Sequence, residues 1–158
     1  MDLQKVNKFV PKTQTVNADR LYFINEDKFI KQDFNIERGK NEAAFLKPNK
    51  HLYMQEYIDS YTSNESHFLV TEFFNGETLE NLELDKAQKI KIVSQLLELY
   101  SFMLKKSIIH GDINVSNILF DGRNIKLIDW ETASIGQNLK DLTGPPWGIL
   151  DLIKKYLT

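Results

Sequence analysis

The first third of the chain is rich in aromatic and β-branched residues set among polar ones, and in the second half apolar residues recur at helical spacing. Helical neighbours on one face recur every three or four positions, so the change of pattern marks a change of architecture. Arg20–Asn25 and Lys28–Gln32 flank Glu26-Asp27, which predicts a tight hairpin. Lys40–Lys47 predicts a short helix stopped by Pro48. His51–Tyr61 and His67–Glu72 predict two further strands, with the polar run 62–66 as the turn between them.

Gly76 and the acidic, polar stretch 77–85 break this pattern. Lys86–Lys106 follows as the clearest helix, with Val93, Leu96, Leu97, Tyr100, Met103 and Leu104 as one apolar stripe expected to be core. Asp85 and Gln88 have the spacing of a capping box, and Lys105-Lys106 suit the negative end of the helix. Ile118–Phe120 and Ile125–Ile128 predict a hairpin turning at Asp121-Gly122, and Trp147–Leu157 a last helix after Gly144-Pro145-Pro146. The expected order is a β-rich unit with one helix, residues 1–75, then a helical unit, residues 76–158, with the boundary near 74–78.

Composition narrows the function. A hydrophobic share of 42% with 27% charged residues is that of a globular domain, and a net charge of −2 excludes a general nucleic-acid binder, which needs a basic face. The absence of cysteine removes disulfides, zinc knuckles and thiol catalysis together. No apolar run is long enough for a signal peptide or a membrane span, so a cytoplasmic protein without membrane contact is expected.

The chemistry concentrates in His110-Gly111-Asp112-Ile113-Asn114-Val115-Ser116-Asn117, followed by Ile128-Asp129-Trp130. Phosphoryl transfer asks a protein for a carboxylate that orients the attacking hydroxyl and for hard oxygen ligands to a divalent metal. An Asp and an Asn five residues apart on a loop, with a second Asp after the next hairpin, supply that set. A lone His-Gly-Asp is as readily a capped turn; Asn117, the hairpin and Asp129 together argue for the catalytic alternative. His110 reads as a structural anchor of the loop.

These residues resemble the protein-kinase-like superfamily, and within it the aminoglycoside and choline phosphotransferases and compact atypical kinases, where His-Gly-Asp replaces His-Arg-Asp and Asp-Trp replaces Asp-Phe-Gly. The resemblance implies an α+β, two-lobed kinase-like fold with a shortened helical C-lobe, and ATP and Mg²⁺ as cofactors. It implies that Asp112 is the catalytic base, that Asn117 and Asp129 bind metal, and that the backbone of Glu72, Phe73 and Phe74 forms the adenine-binding hinge. Lys31 stands where the phosphate-binding lysine belongs and Glu42 where its helix partner belongs, with Glu37 as a rival.

Some features depart from the family. The stretch 9–17 holds no glycine, so the usual Gly-rich lid over the phosphates is missing or built differently. Asn114 replaces a lysine common in protein kinases. Asp141 and Asp151 both qualify as the aspartate that braces the catalytic loop. Residues 130–158 leave room for one loop and one helix, where small-molecule kinases hold an acceptor subdomain. The apolar tail Trp147, Ile149, Leu150, Leu152, Ile153, Tyr156 and Leu157 exceeds what so short a helix can bury, which predicts a homodimer or a partner protein on the C-lobe. Two functions follow: transfer of phosphate to a hydroxyl of a small molecule or a protein, or a pseudokinase that keeps the pocket and works through contacts.

Overall fold

The structure is a computed structural model that describes residues 4–5, 19–137, 139–143 and 148–158. Its first half is an antiparallel five-stranded sheet in the order β1-β2-β3-β5-β4. The strands are β1 (Gln4–Lys5), β2 (Arg20–Asn25), β3 (Lys28–Asp33), β4 (Tyr57–Ser63) and β5 (Ser66–Glu72). In the central strand β3, Lys31 faces Tyr22 across one ladder and Leu69 across the other. The β2–β3 hairpin turns through Glu26 at φ 56°, and β4–β5 through Asn64 and Glu65 at 49° and 62°.

Helix α1 (Ile36–Leu46) packs against this sheet. It starts four residues earlier than its sequence predicts, because the Asn35 side chain caps the Arg38 N–H at 3.1 Å. Gly39 weakens the helical signal there, yet a side chain at that position would come within 2.7 Å of the His67 ring. The predicted strand from His51 begins only at Tyr57. The stretch before it is irregular and buries Tyr53 and Met54, the latter bridging in parallel to Leu127.

The second half is built on α2 (Lys86–Lys105), which opens with the expected capping box: Asp85 accepts the Gln88 N–H at 2.8 Å and Gln88 accepts the Asp85 N–H at 3.0 Å. A sheet of β6 (Glu77–Thr78), β8 (Ile118–Phe120) and β9 (Ile125–Leu127) faces it, and β7 (Ile108–Ile109) pairs with β10 (Ser134–Ile135). Two helices follow, α3 (Lys140–Thr143), which the sequence pattern does not announce, and α4 (Ile149–Leu157). Ile92, Leu96, Leu99, Met103, Ile118, Ile125, Leu127, Trp130 and Ile149 form the closed core of this half. The fold class is thus α+β, a sheet with one helix followed by a helical half carrying short hairpins.

The α2 stripe is rotated from its expected position. Ile92, Val93, Leu96, Leu99, Tyr100 and Met103 face inward, while Leu97 and Leu104 are exposed. The packing partners, α4 and β9, choose the face. In α4, Ile149, Leu152 and Tyr156 are buried and Leu150 and Leu157 exposed; Trp147 and the stretch 9–17 lie outside the described residues. Among the described residues, no helix is long and apolar enough to cross a membrane.

The rotated stripe has a measurable consequence. Leu99→Ala is expected to cost about 2–5 kcal/mol through the cavity it leaves, and Leu97→Ala no more than about 0.5 kcal/mol. Urea unfolding of the two variants reads the difference; equal costs would restore the stripe expected from the sequence.

Candidate active site

Three segments distant in sequence meet at the Lys31 ammonium. It lies 2.8 Å from Glu42 Oε2 on α1 and 3.3 Å from Asp129 Oδ1 after β9, and is itself almost wholly buried. Glu42 has its second oxygen engaged as well, accepting the Trp130 N–H at 3.1 Å. The rival Glu37 is exposed in the first turn of α1. Burial alone would lower the Lys31 pKa, but Glu42 and Asp129 outweigh it and raise it. Burial likewise opposes ionisation of Asp129, while Lys31 and then Arg20 hold its carboxyl below the usual range. Asp129 adopts φ 65°, a left-handed conformation that aspartate tolerates better than most residues.

A second set of residues, absent from the sequence expectation, surrounds this node. Arg20, buried on β2, pairs with Glu131 and lies 3.4 Å from Asp33 Oδ2, while Arg38 holds Asp33 Oδ1 at 2.7 Å. Burial and the neighbouring Asp129 push the Glu131 carboxyl up. Glu42, Asp129 and Glu131 each offer an oxygen within 4.8 Å of the others. No sequence spacing links Arg20 to Glu131; only the fold joins them.

The loop before β8 is held from several sides. His110 is fully buried, its Nδ1 accepting the Asp112 N–H at 3.1 Å, so Nε2 carries the proton and donates to Ile128 O at 2.9 Å. Its ring meets Trp130 edge-on at 4.6 Å. Asp141 accepts the His110 N–H at 2.7 Å and the Gly111 N–H at 2.8 Å, and so is the brace; Asp151 instead faces the Gly148 N–H at the start of α4. Gly111 takes φ 90°, and a side chain there would crowd Thr132, whose hydroxyl donates to His110 O at 2.8 Å.

Asp112 is exposed at the tip of this loop. Asn117 Nδ2 donates to its backbone carbonyl and to its Oδ2, both at 2.9 Å, and Asn114 Nδ2 to its Oδ1 at 2.8 Å. Two amides thus fix the carboxylate. The Ile128 N–H donates to Asn117 O at 2.9 Å, which ties the loop to the strand leading into Asp129. Asn117 and Asp129 carry amide and carboxylate oxygens, the hard donors that suit Mg²⁺.

Glu72, Phe73 and Phe74 line a cleft beside this centre, with Phe29, Gln55, Leu119, Lys126 and Ile128. The Glu72 and Phe73 N–H groups are engaged by Glu56 O at 3.0 Å and Asp27 O at 2.7 Å. Lys126 is buried, donating to Leu52 O at 2.8 Å, 3.6 Å from Glu72 and over the Phe74 ring at 5.7 Å. The lining suits a flat heterocycle: aromatic and aliphatic faces with a buried amide acceptor, Gln55 Oε1, that no protein group satisfies. The cavity volume within this cleft is about 40 Å³, small for a purine.

The sequence matches the family described as protein kinase domain over residues 14–147. It is 32% identical over 133 residues to calcium-dependent protein kinase 5 of Plasmodium berghei, covering 77% of this chain and 24% of that protein. It is 28% identical over 145 residues to the dual specificity protein kinase zakA of Dictyostelium discoideum, covering 87% and 17%. With the probable serine/threonine-protein kinase YbdM of Bacillus subtilis it shares 28% identity over 102 residues, covering 61% and 40%. The chain spans less than half the length of each of these relatives.

The two aspartates near the loop are separable by stability. Asp141→Ala leaves two backbone N–H groups without their acceptor, at about 1–3 kcal/mol each. Asp151→Ala removes only a helix cap, about 1 kcal/mol. Urea unfolding of both variants checks the order, and a larger loss at Asp151 would reverse the assignment.

Proposed function

This chain belongs to the protein kinase domain family, and on that premise we propose that it transfers a phosphoryl group from ATP, with Mg²⁺, to a hydroxyl acceptor. The observation that carries the reading is the Lys31–Glu42–Asp129 cluster, tied through Ile128 and Asn117 to the loop of Asp112. Magnesium, when bound, neutralises phosphate charge. Lys31 orients the phosphates, with Glu42 fixing its ammonium. Asn117 and Asp129 supply metal ligands. Asp112, held by Asn114 and Asn117, orients the acceptor hydroxyl and takes its proton. Glu72 to Phe74 line the base site, at the seam between the lobes 1–75 and 76–158.

Two acceptor classes have support. The relatives are named as serine/threonine and dual-specificity protein kinases, which favours a protein hydroxyl. His-Gly-Asp and Asp-Trp are the variants of the aminoglycoside and choline type, and the brace at Asp141 has the spacing of that branch, which favours a small molecule. A second function, a pseudokinase acting through contacts, is favoured by one observation: the narrowness of the base cleft.

Labelled-phosphate transfer from ATP, offered to a serine/threonine peptide pool and to an aminoglycoside and choline panel, separates these readings. Transfer to one class names the acceptor; ATP binding without transfer to either favours the pseudokinase. Asp112→Asn is expected to lower kcat by roughly 10²-fold or more while ATP affinity stays unchanged. An undiminished rate removes Asp112 from the mechanism.

A further inference from the structure

Helix α2 carries a second apolar row besides the one it buries. Its inner face, from Ile92 to Met103, is closed in the core by α4 and β9. On the outer face Ile90, Leu97 and Leu104 are 49%, 43% and 46% exposed, and they recur every seventh residue along the helix. Ala87, Ser94 and Ser101 stand between them in the same row, exposed and likewise seven apart. Large and small residues thus alternate at spacings of three and four, the repeat by which one helix packs along another. Single exposed leucines are ordinary, but a continuous row marks a contact surface. Two exposed charges, Lys91 and Glu98, border the row on one side. No residue three or four positions from Lys91 is acidic and none at that distance from Glu98 is basic, so neither is answered along its own helix.

We propose that this outer face is a homodimer interface, on which a second copy of the chain lays its own α2 antiparallel about a two-fold axis at the middle of the helix. In that register Ala87 lies against the partner's Leu104, Ile90 against the partner's Ser101 and Ser94 against the partner's Leu97, and the two-fold repeats each contact. Every large side chain then meets a small one, so the helices approach closely and the seam fills evenly. A parallel pair would set Leu97 on Leu97 and Ser94 on Ser94, crowding one layer and leaving the next hollow. The antiparallel register also brings Lys91 beside the partner's Glu98, and Glu98 beside the partner's Lys91. Charges unanswered on one helix are answered on the other. One helix face is a small interface, so the dimer is weak, with a dissociation constant on the order of 10–100 μM. Below that range the face is free, and the small cost expected of Leu97→Ala holds. The interface is independent of the phosphotransfer reading and needs no nucleotide.

Sedimentation equilibrium of the whole chain, from about 5 to about 500 μM, brackets that constant and reads the association. Wild type is expected to approach twice the mass of one chain and to stop there, because a two-fold contact closes on itself. Leu97→Glu is expected to stay monomeric throughout with an unchanged circular dichroism spectrum, since the side chain takes no part in the core. Lys91→Glu sets like charges together and is expected to weaken association about 3- to 10-fold; combining it with Glu98→Lys is expected to restore wild-type association. A merely greasy surface would not respond to that exchange. The proposal is overturned by a wild type that remains monomeric, by a mass that climbs past the dimer, by Leu97→Glu protein that still dimerises, or by an exchange that fails to rescue Lys91→Glu.

Discussion

Everything in this site hangs on one buried ammonium. Lys31 sits in the middle strand of the five-stranded sheet, where water cannot compensate its charge, so the fold must bring carboxylates to it. One comes from α1 and the other from the loop after β9. The requirement fixes the rotation of α1, since Glu42 reaches both Lys31 and the Trp130 N–H, and it fixes the backbone of Asp129 in a left-handed turn. Replacing the node with apolar residues would avoid the desolvation cost of buried ions. Its retention at the junction of three segments is better explained by what it can hold than by what it stabilises.

The same economy runs through the catalytic loop. Asp112 is exposed, but most of what places it is not: His110 and Asn117 are buried, and Asp141 takes the two N–H groups at the loop's entry, with half-buried Asn114 as the second amide on the carboxylate. Hydrogen bonds run from Asp141 through His110 to Ile128 and on to the Asn117 carbonyl, so the loop is anchored at its base and exposed at Asp112.

Much of this could be read from the residues, and what could not has physical causes. The β2–β3 hairpin was legible from strand-forming residues on either side of a polar turn, and α2 from its capping box and helical spacing. Asp112, Asn117 and Asp129 were legible as a set because their spacing is local. The start of α1 was hidden by Gly39, a poor helix former present because His67 packs against it. The exposure of Leu97 and Leu104 was hidden because periodicity gives a stripe, while the neighbours choose which edge of it is covered. Between Asp141 and Asp151, spacing from Asp129 pointed to the first and helical context to the second, and the hydrogen bonds to the His110 and Gly111 N–H groups decide for Asp141. Arg20, Gln55, Lys126 and Glu131 gave no signal at all: their partners lie far away in sequence, and a lone lysine in the apolar strand 125–128 looks like any exposed strand lysine.

The central claim, that the Lys31 cluster is assembled to receive metal and phosphate, is most directly tested by titrating ATP into wild type and Asp129→Ala, with Mg²⁺ and with the metal chelated. The account predicts that Mg²⁺ tightens ATP binding to wild type and that this enhancement disappears in Asp129→Ala, while metal-free binding changes little. An equal Mg²⁺ enhancement in both proteins would contradict it.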